Sequence, residues 1–211
     1  MDGKPSARPR GPWTAEEIAR NERVAQIRVQ RDRVRGVSAN LDDAVRLTRF
    51  AHGFAGAFRE VRPFDPVELL SRLHEHRVEH IIVGGLAVSA HGYIHAVEHV
   101  DVVAESSPEN VERLASSLSA ANAIDADIRK LDQALPLGAN PLDTDLGVLN
   151  VVRGLPGIEA KDLYAELDRN AVSGCVEGIP VRVCGLDQLL ALNGASGRSA
   201  DLAGLERLGV D

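Results

Sequence analysis

The chain has 211 residues, of which 44% are hydrophobic and 26% charged, enough for one domain with an ordinary core and a small additional element. No apolar run approaches the roughly 18–20 residues that span a bilayer, and residues 1–12 (MDGKPSARPRGP) lack the hydrophobic stretch of a signal peptide, so a cytoplasmic protein is expected. Two cysteines, Cys175 and Cys184, exclude a disulfide framework and cannot by themselves fill a zinc site; reduced core or strand residues are expected there. With 3% aromatic content and a net charge of -7, the composition does not favour a general nucleic-acid-binding surface.

The charge is unevenly spread. Residues 1–35 carry nine Lys/Arg against five Asp/Glu, and the remainder carries fifteen against twenty-six. The first dozen residues, rich in Pro, Gly and Arg, read as a disordered arm. Thr14 with Glu17 three residues later is a capping-box signature, and the next twenty residues contain no Gly or Pro, which predicts a charged helix. Its Arg20, Arg23, Arg28, Arg31, Arg33 and Arg35 suit either an anion or partner contact or a solvated face. A second helix is predicted from Asn40, as N-cap, to about Val61. There Phe50, Phe54 and Phe58 recur four apart on one face, and this ladder is expected to be buried against the main domain or in a dimer contact. Residues 13–62 thus form a helical extension that ends at Pro63, Asp65 and Pro66, with Asp65 as N-cap of the next helix.

From residue 63 the periods of helix and strand alternate, which predicts an α/β domain with a mixed sheet and flanking helices. The pattern gives a helix over 66–77, a buried strand over Glu79 to Val83, a short helix over Leu86 to His91 and a strand over Val97 to Ala104. A helix capped by Ser107-Pro108 follows, then a polar, weakly periodic stretch with Pro136, Gly138 and Pro141, then a strand over Val148 to Val152. The C-terminal part reads as a helix near Lys161 to Leu167, a hairpin at Ala171 to Val176 and Ile179 to Val183, and helices at Leu186 to Asn193 and Arg198 to Leu208.

The segment EHIIVGGLAVSAHGYIHAVEHVDVV, residues 79–103, is the most informative. A strand that ends in Gly84-Gly85 and runs into a helix exposes backbone N–H groups, one way for a chain to hold a phosphate. On the second strand, period-two alternation sets His95, Val97, His99 and Asp101 on one face. His99 and Asp101 then lie near the Gly-Gly turn, where an imidazole and a carboxylate could share a metal or a proton. Six of the seven histidines fall between His74 and His99, but their placement on different elements favours separate surface and structural roles.

Gly84-Gly85-Leu86-Ala87-Val88, then His91-Gly92, then the strand HAVEHVDVV resemble the nucleotidyltransferase-fold superfamily, nearest to the AbiE-type toxins and related nucleotidyltransferase-like proteins. The resemblance runs from about Asp65 to Leu208. It includes the strand GVLNVV and the C-terminal LDQLLALNGASGRSADLAGLERL. It implies a minimal nucleotidyltransferase fold in which two carboxylates on one strand and a third on a neighbouring strand hold two Mg²⁺ ions that bind a nucleotide triphosphate. Here the family's Arg and Thr fall on His95 and Val97, and its three carboxylates on His99, Asp101 and Asn150. Its Lys residues fall on Asn193 and Ala200, while Arg198 and Asp201 are retained.

The resemblance therefore assigns Gly84, Gly85, Arg198 and Asp201 to nucleotide binding, His99 and Asp101 to chemistry, and His99, Asp101 and Asn150 to a metal position with only one carboxylate. Mg²⁺ is the family's cofactor, and this ligand set is less anionic and softer than Mg²⁺ prefers. Among nearby acids, Glu98 is out of phase, Glu105 and Asp143 lie off the pattern, and Asp145 is the best spare. Three readings remain open at this stage. One is a degenerate, toxin-antitoxin-like pseudoenzyme that binds a nucleotide, another small molecule or a protein partner, or dimerises through the N-terminal helices. The others are an active metal-dependent nucleotidyltransferase with rearranged ligands, and an enzyme reusing the cleft for acid/base chemistry.

Overall fold

In a computed structural model, which describes residues 14–57, 63–123, 138–153, 160–196 and 208, six strands form one mixed sheet surrounded by helices. In chain order the elements are α1 (Ala15–Arg35), α2 (Val37–Gly56), α3 (Pro66–Glu75), β1 (His80–Val83), α4 (Gly84–Ala90), β2 (His99–Ala104), α5 (Pro108–Ala120), β3 (Gly138–Thr144), β4 (Gly147–Arg153), α6 (Ala160–Asp168), β5 (Val172–Val176), β6 (Ile179–Val183) and α7 (Leu186–Ser196). The strand order is β3-β4-β2-β1-β6-β5. β1 runs antiparallel to β2 and parallel to β6, β2 runs parallel to β4, and antiparallel hairpins close both edges.

The strands expected around residues 81–83, 97–103 and 148–152 are thus β1, β2 and β4, side by side at the centre. Ile81, Ile82 and Val83 of β1 and Val100, Val102 and Val103 of β2 are all buried, so consecutive residues are covered whichever face they point to. That is the signature of a strand with helices on both sides, and it explains why these stretches read as apolar runs. They join Leu69, Leu70 and Leu73 of α3, Leu114 and Leu118 of α5 and Leu163 and Leu167 of α6 in one contiguous core.

Local chemistry sets the helix ends. Thr14 and Glu17 make the expected reciprocal capping box at α1. Asp65 accepts from the Val67 and Glu68 amides at α3, and the Ser107 hydroxyl accepts from the Asn110 amide at α5. Asn40 is not the N-cap of α2. Gly36, at φ +87, separates α1 from α2 and lets α2 begin at Val37. The buried Asn40 amide instead donates to the carbonyls of Asp32 and Ala90, tying α1, α2 and α4 together.

α2 is built into the body. Leu41, Ala44 and Val45 belong to the core, and the outer edge of β5 is capped by α2 side chains. The Cys175 amide donates to Ser38 Oγ and the Glu177 amide to Asp42 Oδ1, which blocks a sheet edge that would otherwise be open to pairing. Gly174 permits this approach, since a Cβ there would sit 2.7 Å from Val37 Cγ1. The aromatic ladder does not behave as expected: Phe50 and Phe54 stack on each other at 6.4 Å but are 71% and 62% exposed, and Phe58 lies outside the described residues. The buried face of α2 is instead the stripe Leu41, Ala44, Val45 and Thr48, which turns the Phe residues outward.

The stretch read as polar and weakly periodic contains β3, an edge strand in which Pro141 pairs opposite Asn150. Cys184 is buried in the core, and burial pushes its thiol up to about 12, while Cys175 is exposed on β5. Among the described residues no helix is long and apolar enough to cross a membrane.

Candidate functional site

β1, β2 and β4 bring Val83, Asp101 and Asn150 abreast, since Asp101 pairs with Val83 on one side and with Asn150 on the other. Asp101 and Asn150 are each only 4% exposed. Asn150 Nδ2 donates to Asp101 Oδ1 at 2.8 Å, and His99 Nε2 lies 3.2 Å from Asp101 Oδ2. A carboxylate only accepts, so the amide presents its nitrogen and the imidazole its N–H. Each oxygen of the one carboxylate thus faces a donor from a neighbouring position of the sheet.

Gly84 follows directly after β1, at φ +61. A Cβ on it would fall 2.1 Å from Asp101 Oδ2, so only glycine admits the carboxylate to this position. Next along, a Cβ on Gly85 would meet Val97 Cγ1 at 2.9 Å and His95 Nε2 at 3.2 Å. The expected face of His95, Val97 and Asp101 against the Gly-Gly turn is therefore present, although the strand itself starts only at His99. Residues 95–98 are held from outside the sheet: the Val97 amide donates to Thr48 Oγ1 of α2, and Thr48 in turn donates to Ala44 O. His95 is fixed by Ser89 Oγ and the Tyr93 carbonyl, both near Nδ1, which leaves Nε2 toward Gly85. Thr48 and Ser89 carry no sequence signal for this role, because their contacts depend on how α2 and α4 pack.

Two of the spare acids are engaged elsewhere. Asp145 sits in the β3–β4 turn, where its Oδ2 accepts from Asn122 Nδ2. Glu105 accepts from both the amide and the hydroxyl of Ser107, ahead of α5. Glu98, Asp143 and Asp145 line a pocket of about 450 Å³ with His52, Phe64 and Val148. Among the described residues no group of three His, Cys, Asp or Glu side chains is placed to hold a metal ion.

The clustered histidines are indeed dispersed: His80 Nδ1 bonds Val78 O, His91 Nε2 bonds Cys184 O, and His95 and His99 have the partners above. Arg198, Ala200 and Asp201 lie outside the described residues, as does the predicted helix over 198–208 apart from the buried Leu208. Asn193 falls on α7.

Mg²⁺ does not fit this donor set. A hard divalent cation needs several anionic or carbonyl oxygens, whereas Asp101 is here the one carboxylate, facing an amide N–H and an imidazole N–H. What the arrangement does is set an imidazole, a carboxylate and an amide in direct contact beside the Gly84-Gly85 turn, with His95 Nε2 directed toward Gly85.

No known family model matches the chain, and no curated protein does. Among solved structures it is similar to a Thermotoga maritima protein assigned to the nucleotidyltransferases, with TM-score 0.44 and 14% identity over 67% of this chain and 88% of that one. It is also similar to the antibiotic-resistance factor ANT(2'')-Ia, with TM-score 0.44 and 12% identity over 67% of this chain and 79% of that one. At these values neither likeness bears on the chemistry of the cleft, which rests on its own side chains.

Proposed function

We propose that the chain is a nucleotidyltransferase-like protein whose cleft no longer supports two-metal nucleotide transfer and acts by binding a ligand or partner. One observation carries this reading: Asp101 stands abreast of Asn150 rather than of a second carboxylate, and its Oδ1 accepts from the Asn150 amide. Two Mg²⁺ ions bring four positive charges, which transfer chemistry balances with several carboxylates and the triphosphate; Asp101 alone supplies one negative charge, and His99 beside it supplies none or a positive one. The Gly84-Gly85 turn and the Asp101 register support descent from a transferase cleft, while His99 and Asn150 convert its metal position into a set of internal hydrogen bonds.

The test is a gain of function. The wild-type chain should transfer no label from a nucleotide triphosphate to itself or to an added acceptor in the presence of Mg²⁺. The double substitution His99→Asp with Asn150→Asp should raise Mg²⁺ affinity, measured by calorimetry, by about tenfold or more, since each new carboxylate adds a charge-assisted ligand. Robust labelling by the wild-type chain, abolished in Asp101→Ala, would overturn the proposal in favour of an active transferase.

A further inference from the structure

α1 is held to the body by its C-terminal turns alone. Val29 and Asp32 are its buried residues, and the α4–β2 connection comes so close there that a Cβ on Gly92 would lie 3.1 Å from the Val29 carbonyl oxygen and 3.0 Å from Arg33 N. Residues 15–28 bury no side chain. A helix of that length standing free in water is marginal, and helices in proteins draw most of their stability from packing an amphipathic face.

The face turned away from the body has the pattern of a coiled-coil seam. Arg20, Val24, Ile27, Arg31 and Val34 recur at alternating spacings of four and three, the a and d positions of a heptad, while Val29 and Asp32 fall at f and b on the opposite side. Val24, Ile27 and Val34 are between 41% and 85% exposed, so the seam is formed and open. The flanking e and g positions carry Asn21, Arg23, Arg28, Gln30 and Arg35, with no acid among them. Arg31 pairs with Asp32, and Arg35 with Asp32 and Asp43, whereas Arg20, Arg23 and Arg28 make no ion pair with a described residue.

Charge selects the occupant. In a parallel pair with a second copy, Arg23 of each helix would meet Arg28 of the other, and Arg20 and Arg31 would each meet their counterpart across the seam; in an antiparallel pair no acid on either flank relieves the repulsion. A nucleic-acid backbone would satisfy the arginines but leave Val24, Ile27 and Val34 without an apolar counterpart in the middle of the contact. A membrane surface needs an apolar stripe, which Arg20 and Arg31 interrupt. A helix with apolar residues at heptad spacing and carboxylates beside them meets every group on the face.

We propose that the outer face of α1 docks an acidic amphipathic helix of a partner protein, whose apolar residues pack on Val24, Ile27 and Val34 and whose Asp or Glu side chains pair with Arg20, Arg23 and Arg28. The site is separate from the Asp101 cleft and does not depend on what that cleft binds.

The experiment uses a synthetic three-heptad peptide with Leu at a and d and Glu at e and g, whose like-charged flanks keep it from pairing with itself, and a counterpart with Lys at e and g. Each is titrated into the full-length chain by calorimetry, and ¹⁵N amide shifts locate the contact. The Glu peptide should bind with a dissociation constant of about 10–100 μM in dilute salt, about tenfold more weakly at high salt, and shift the amides of residues 20–34. The Lys peptide should not bind. Ile27→Ser should weaken the Glu peptide by about tenfold, and Arg23→Glu with Arg28→Glu should reverse the preference, so that the Lys peptide binds instead. These side chains are exposed, so the variants leave the fold in place. The proposal is overturned if the Glu peptide does not bind at about 1 mM, if Ile27→Ser binds it as tightly as the wild type, or if the charge-reversed variant keeps the wild-type preference. Tighter binding of a DNA duplex or of phosphatidylserine vesicles than of the Glu peptide would overturn it in favour of a phosphate-bearing partner. Sedimentation as a dimer that Ile27→Ser disperses would overturn it in favour of a second copy.

Discussion

Asp101 is buried, yet its carboxylate faces an imidazole from its own strand and an amide from β4, in space left by the glycine that opens α4. Gly84, His99 and Asp101 were legible in the sequence itself, since alternation from Asp101 back to His99 and the Gly84-Gly85 pair at a strand end place them together, whereas Asn150 came only through the family resemblance. What alternation does not specify is who satisfies whom. Glu105 and Asp145 looked available because they are close in the chain, but Glu105, just ahead of a helix start, takes the local N–H and O–H of Ser107, and Asp145, in a tight turn, takes the side-chain amide of Asn122 from the end of α5. The coupling between Gly84 and Asp101 is measurable. Gly84→Ala should cost about 2–4 kcal/mol, from the left-handed backbone and from the collision with Asp101 Oδ2. In an Asp101→Ala background only the backbone part remains, and the cost should fall to about 1–2 kcal/mol. Urea denaturation of the four proteins gives the cycle, and equal costs in both backgrounds would show that the two residues do not touch.

Among the elements, those with strong periodicity or a capping signal were legible, and those shaped by a neighbour were not. The capping box at α1, Asp65 at α3 and Ser107 at α5 are local chemistry, and the structure has all three. β3 was missed because an edge strand can carry Pro141, Asp143 and Thr144, residues that argue against a central strand. β2 begins two residues later than the alternation suggests because Thr48, 49 residues away in sequence, takes the Val97 amide. On α2 two stripes competed, and the aliphatic one won: Leu41, Ala44 and Val45 offer a flat face to β5 and α4, while Phe50 and Phe54 project outward. Replacing both rings by Ala should therefore cost less than about 1 kcal/mol in a monomer, against about 3–5 kcal/mol for a single buried Phe. Denaturation at low micromolar protein concentration checks this; a loss of several kcal/mol that grows with concentration would show that the pair is covered by a second copy.

For the whole molecule, the order of central strands followed from apolar runs separated by turn residues, and the tie between α2 and the β5–β6 hairpin did not, because it is made by Ser38, Asp42 and Arg49 contacts to residues more than a hundred positions away. The same packing that hides those contacts makes the fold sensitive to acid. His80 sits at the start of β1, and His91 bridges the end of α4 to the Cys184 carbonyl. Burial lowers the affinity of both rings for a proton, outweighing the carbonyl bond that each makes, with His74 and Arg33 adding like-charge repulsion. Above the unfolded imidazole range, near pH 6.5, folded and unfolded chains are both neutral at these positions and neither ring affects the balance. As the pH falls through that range the unfolded chain takes up protons that the folded one refuses, so stability drops until the lowered folded values are reached. Each ring contributes a slope of at most about 1.4 kcal/mol per pH unit in that window. Urea midpoints measured from pH 7.5 to 5.0 should fall on acidification, and His91→Gln, which keeps a donor for Cys184 but cannot titrate, should remove part of the slope while leaving the neutral-pH shape of the transition intact. A midpoint that stays flat across this range, or a slope unchanged in His91→Gln, would mean that the buried imidazoles are reached by solvent and charge freely in the folded protein.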